Sequence, residues 1–97
     1  MYRVIAGNDT GKTKKLLTEC GTDGIFVCAH PDRIPDKCRA YQIPVVNAIS
    51  YEDYFGMLHV DDIYNLNDDR PVYIDEIEKF VNYRIPYLAG YTLTNDD

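Results

Sequence analysis

The stretch Ala6-Gly7-Asn8-Asp9-Thr10-Gly11-Lys12-Thr13 decides how this chain is read, because it fits the pattern Ala or Gly, four residues, Gly-Lys, then Ser or Thr. A short apolar run, Tyr2 to Ala6, leads into it, and Thr13, Leu16, Leu17 and Cys20 follow at helical spacing up to a stop at Gly21. The context is strand, glycine loop, helix. In such a loop glycines let successive backbone N–H groups turn inward around phosphate oxygens, and the helix N-terminus adds its partial positive charge. Gly7, Asn8, Asp9, Thr10, Gly11, Lys12 and Thr13 are therefore the expected nucleotide cradle. Lys12 would reach the β- and γ-phosphates, and the Thr13 hydroxyl would bind Mg2+, which prefers oxygen ligands and keeps several waters.

A magnesium site of this kind needs an acidic partner on another strand. Arg70-Pro71-Val72-Tyr73-Ile74-Asp75-Glu76 supplies one, an apolar run ending in two carboxylates. Asp75 is placed to hold the metal through water. Glu76, one residue on, is placed to orient and polarise a water attacking the γ-phosphate, a role set by position more than by intrinsic basicity. By itself an acidic pair at a strand end is an ordinary solvated helix start. Beside the glycine loop it reads as the second half of a site.

The rest of the chain alternates in the same way. Strands are expected at Tyr2 to Ala6, Ile25 to Ala29, Val45 to Ile49, Val72 to Asp75 and Tyr87 to Leu93, mostly continuous apolar runs of the kind found in parallel sheets covered on both faces. Helices are expected from about Gly11 to Cys20, more weakly around Ile34, Cys38 and Tyr41, after a capping Ser50 with Tyr51, Tyr54, Phe55 and Leu58 on one stripe, and over Glu76 to Arg84 before Pro86. A shorter turn is expected over Val60 to Leu66. Parallel neighbours need crossover connections, so this order implies one α/β domain spanning residues 1–97, three-layered and doubly wound, with a mainly parallel sheet of four or five strands.

Composition narrows the function. The 97 residues hold 10 Lys+Arg against 16 Asp+Glu, a net charge of −6, which disfavours an autonomous nucleic-acid binder and leaves nucleic acid accessible only through a partner. No stretch has the length and apolarity of a membrane span and no secretory leader pattern is present, so a cytoplasmic chain with no membrane contact is expected. Cys20, Cys28 and Cys38 are odd in number and, with His30 and His59, lack the paired Cys-x-x-Cys spacing of a zinc site. Most of the 9 tyrosines fall on helix faces and strands, where packing explains them.

The two motifs together resemble the Walker A and Walker B elements of P-loop NTPases, and the Asp75-Glu76 ending resembles the additional-strand group that includes RecA-like, AAA+ and helicase-type ATPases. The resemblance implies a sensor strand between the two motif strands, with Thr94 as the sensor and a catalytic role beside Glu76 and Lys12; Thr92 is the runner-up. A weaker likeness to the first domain of superfamily I helicases falls on Ala29-His30-Pro31-Asp32-Arg33 and Ala48-Ile49-Ser50-Tyr51. The chain departs from that group in having no second RecA-like domain, no downstream arginine motifs and Ala6 at the first motif position. No Asn-Lys-x-Asp guanine motif occurs, so adenine is the expected base. The expected activity is Mg-ATP binding with slow or partner-dependent hydrolysis, an arginine arriving from a protein partner or, by self-association, from Arg33, Arg39, Arg70 or Arg84. The alternative is a decayed, non-enzymatic module acting through protein contacts, and a small-molecule kinase would need an acceptor pocket and lid within the same 97 residues.

Overall fold

The computed structural model describes residues 2–4, 11–64 and 70–92, with the backbone alone for 58–64. Three strands form a parallel sheet: β1 (Ile25–Cys28), β2 (Asn47–Ser50) and β3 (Val72–Ile74), in the order β2-β1-β3. Ile25 lies opposite Asn47 on one side and Val72 on the other, and backbone bonds from Ile25 N to Pro71 O (2.8 Å) and Asp75 N to Val27 O (2.9 Å) bracket the β1–β3 pair. Four helices complete the α/β layout: α1 (Lys12–Cys20), α2 (Ile34–Tyr41, entered through a 3-10 turn Pro31–Arg33), α3 (Tyr51–Tyr64) and α4 (Ile77–Arg84).

The central strand explains the layering. All four residues of β1 are buried, and their alternation sends Phe26 and Cys28 to one face and Ile25 and Val27 to the other. On the first face they pack with Leu16, Leu17 and Cys20 of α1, Ile34 and Cys38 of α2, and Val46. On the second they pack with Tyr51, Tyr54 and Phe80 from α3 and α4. The chain moves from β1 to β2 in one direction and crosses back over β1 to reach β3; with crossovers of one handedness, that reversal puts α2 and α3 on opposite faces.

Local signals set the helix ends. Gly21 takes φ 61° after α1, and its N–H bonds to Leu17 O (3.1 Å). Ser50 Oγ accepts from Asp53 N (3.0 Å) at the start of α3. Gly24 sits so tightly under α1 that a Cβ there would come within 2.9 Å of Cys20 Sγ and 3.1 Å of Pro71 O, which is why the turn into β1 needs glycine.

Several expectations need correction. Residues 2–4 and 87–92 form no strand, so the two terminal strands expected there are not seen among the described residues; positions 5, 6 and 93 lie outside them. The Val45 strand begins two residues later, at Asn47, where pairing with Ile25 at the start of β1 begins; Val46 before it is buried in the core. Continuous burial holds for β1 alone, since β2 and β3 are the sheet's outer strands here and are half-exposed. The turn expected over Val60 to Leu66 is instead the continuation of α3 as one helix to Tyr64, passing through Gly56; residues 65 and 66 lie outside the described ones.

Candidate functional site

The site lies where the N-terminus of α1 meets the C-terminal end of β3. Gly11 adopts φ 75° and ψ 21°, a left-handed conformation natural to glycine, and its carbonyl accepts from Lys15 N (3.1 Å) as the first turn of α1 begins. Lys12 and Thr13 thereby become the first two helical residues, held down by the buried pair Leu16 and Leu17 one turn later. Asp75 and Glu76 follow the last residue of β3, which is pinned beside the buried strand β1.

These two ends come together across the chain. Thr13 Oγ1 lies 3.4 Å from each carboxylate oxygen of Asp75, 62 residues away in sequence. Both distances exceed the roughly 2.7 Å of a strong O–H···O bond, so each contact is weak. Lys12 Nζ forms an ion pair with Glu76 Oε1 at 3.0 Å, both side chains being partly exposed. That contact raises the Lys12 pKa, chiefly through its hydrogen bond to Glu76. Burial raises the Asp75 pKa, and the Glu76 charge adds to this, while Lys37, the Thr13 hydroxyl and Lys12 act in the opposite direction.

Tyr51 is a residue that the sequence placed on the α3 packing stripe and in the weaker helicase likeness, without a site role. It is 7% exposed, and its hydroxyl donates to Asp75 O (2.7 Å) while lying 3.4 Å from Glu76 O. The phenol ties the first residue of α3 to the turn carrying both carboxylates, and its ring packs edge-on to Phe80 at 5.6 Å. Burial raises its pKa, so it remains a donor throughout the ordinary pH range. The only local signal was a tyrosine directly after the Ser50 cap; its polar partner comes from another strand.

Glu76 itself has φ 58° and ψ 65°. A left-handed conformation costs a non-glycine residue about 1–2 kcal/mol, and here it turns the chain from β3 into α4, with Phe80 N bonding back to Glu76 O (3.1 Å). Strain of this sort concentrates where a side chain is held for a purpose. It directs the Glu76 carboxylate toward α1.

A cleft of about 180 Å³ opens beside this pair, lined by Thr13, Cys28, Ala29, His30, Arg33, Ile34, Lys37, Asp75, Glu76 and Lys79. The Thr13 hydroxyl and Asp75 carboxylate are hard oxygen donors of the kind magnesium takes. Among the described residues no three His, Cys, Asp or Glu side chains gather as a metal cage, so an ion held here would draw most of its ligands from phosphate and water. Cys20 and Cys28 have pKa values pushed up to about 11 by burial, which keeps both thiols protonated and inert.

Of the expected site residues, Gly11, Lys12, Thr13, Asp75 and Glu76 converge on this corner, whereas Gly7, Asn8, Asp9, Thr10 and Thr94 lie outside the described residues. Comparison with protein-family models, with curated proteins and with solved structures gives no match. No helix among the described residues is long and apolar enough to cross a membrane.

Proposed function

We propose that this chain is a small P-loop protein that binds Mg-ATP where α1 meets β3 and hydrolyses it slowly, or faster when a protein partner or a second copy completes the site. The observation that carries this reading is the meeting of Lys12 and Thr13 with Glu76 and Asp75, from two motifs that the sequence keeps far apart. The corner also lies at the C-terminal ends of parallel strands, where open α/β sheets bind ligands. Of the described strands β2 and β3 each pair on one side only, and the doubly wound sheet of four or five strands that the resemblance implies would extend from the β3 side.

In this reading Lys12 Nζ exchanges its Glu76 partner for β- and γ-phosphate oxygens; Thr13, with Asp75 through water, would hold magnesium, which would supply charge neutralisation for the phosphates. Glu76, released from Lys12, orients the attacking water; the new P–O bond forms as the bond to the β–γ bridging oxygen breaks. Thr94 is the proposed sensor. Arg84 is exposed and is a candidate for an arginine acting in trans, whereas Arg39 is paired with Asp36.

Titration calorimetry with ATP and GTP, with and without Mg2+, tests this on the wild type, Lys12→Ala and Glu76→Gln. Magnesium-dependent ATP binding lost in Lys12→Ala and kept in Glu76→Gln, with turnover lost in the latter, is the expected result. No ATP binding by a folded wild type rejects the reading. One observation favours the alternative of a protein-contact module: Ile77, Tyr83, Ile85, Tyr87 and Tyr91 are large, apolar and exposed along α4 and the segment after it.

A further inference from the structure

The cleft beside the carboxylates has a wall that the nucleotide reading leaves unused. It lies at the point where the sheet reverses direction: the chain leaves β1 toward α2 on one face and leaves β3 toward α4 on the other, so the two departing loops part and open a crevice between them. Its lining includes His30, Arg33 and Lys37, from the connection after β1 and from α2, together with Lys79 of α4. In a chain with net charge −6, this crevice gathers Arg33, Lys37 and Lys79, and none of them forms an ion pair within 4.0 Å among the described residues. Asp75 and Glu76 line the same cleft, Glu76 already engaged by Lys12 and Asp75 close enough to feel the Lys37 charge.

We propose that this crevice is a second anion site, taking the phosphate of a small phosphomonoester beside the position assigned to the γ-phosphate of ATP. The size of the cleft, about 180 Å³, suits a phosphate group with a small part of the molecule that bears it. Arg33 supplies a planar fork for two phosphate oxygens, and Lys37 and Lys79 add point charges. A nucleic-acid strand fits less well, because its neighbouring phosphates would run out over a surface of net negative charge. The proposal depends on the Mg-ATP reading only for the identity of the neighbour across the cleft.

The test follows the His30 imidazole by NMR, its signal assigned with His30→Gln, while inorganic phosphate is titrated into wild type, Lys12→Ala, Arg33→Gln and Lys37→Gln. Arg33 and Lys37 are exposed, so both substitutions leave the core untouched. The expected result is a saturable His30 shift that persists in Lys12→Ala and is weakened about tenfold or more by Arg33→Gln and by Lys37→Gln. A shift abolished by Lys12→Ala and unaffected by the other two overturns the proposal, placing phosphate in the glycine loop alone. A His30 signal unmoved by phosphate also overturns it. So does a single-stranded oligonucleotide that displaces phosphate at far lower concentration, which would make the site a nucleic-acid contact. ATP binding is measured separately on the same samples: its absence with the His30 response intact rejects the nucleotide reading and leaves the anion site standing.

Discussion

The two faces of the sheet are built differently. Under α1 and α2 the core is aliphatic and sulfur-rich, with Leu17, Phe26 and Cys38 fully buried and Leu16, Cys20, Cys28, Ile34 and Val46 nearly so. Under α3 and α4 only Ile25, Val27 and Tyr51 are buried; Ile49, Ile74, Tyr54 and Phe80 are partly buried against them, and Phe55 stacks on Phe80 at 4.7 Å and on Tyr83 at 5.7 Å. The first face fixes Lys12 and Thr13 by dense packing; Asp75 is tied to β1 by its N–H bond to Val27 O, and the second face adds to this the Tyr51 hydroxyl and the left-handed turn at Glu76. The difference places the denser packing on the side proposed to bind phosphate and the sparser packing on the carboxylate side, which suits the proposed reading in which Glu76 leaves Lys12.

The largest effect is expected from breaking the first face. Leu17→Ala removes a fully buried side chain between α1 and β1 and should cost about 2–5 kcal/mol, read as a loss of urea midpoint. Tyr51→Phe, on the second face, should cost only about 1 kcal/mol, because the ring stays and one hydrogen bond to Asp75 O goes. If the faces divide labour as described, Tyr51→Phe lowers ATP turnover out of proportion to its effect on stability, while Leu17→Ala lowers stability first. Equal losses of turnover per unit stability would remove the distinction.

Asp75 sharpens the comparison through pH. Its folded-state pKa is raised, so its ionised form is better accommodated in the unfolded chain; the resulting penalty is present in full above the folded-state pKa and vanishes as pH falls below the unfolded value. Asp75→Asn should therefore raise the melting temperature at neutral pH and lose that advantage on acidification, checked by thermal melts of both proteins across the acid range. A variant less stable than wild type at neutral pH would mean that the Thr13 and Lys contacts outweigh burial. The smallest effect belongs to Gly56, exposed within α3 with no atom within 4 Å of an added Cβ. Gly56→Ala should stabilise by about 0.5–1 kcal/mol, visible as a small rise in melting temperature with ATP binding unchanged.

Much of this could be read along the chain. Gly21 as the end of α1, Ser50 as the cap of α3, Pro86 beyond α4 and the buried stripes Leu16-Leu17-Cys20 and Ile34-Cys38 are set by contacts within a few residues, and the sequence carries them directly. The start of β2 and the unbroken length of α3 were less legible, because β-branched runs and a single interior glycine are settled by tertiary packing more than by propensity. The four site residues Lys12, Thr13, Asp75 and Glu76 were legible as two motifs, each with a spacing that chemistry explains.

Their meeting was not. Nothing local orders the sheet β2-β1-β3, yet only that order sets the end of β3 beside the strand on which α1 packs and brings Asp75 to 3.4 Å from Thr13. The same holds for the Tyr51 hydroxyl on the Asp75 carbonyl and for Arg33, Lys37 and Lys79 around one crevice. The sequence by itself determined which groups are present and which helices carry them, since helix starts, stops and faces follow from short-range spacing. The tertiary structure alone decided which groups share a site, because strand pairing joins segments whose separation along the chain carries no record of their partner.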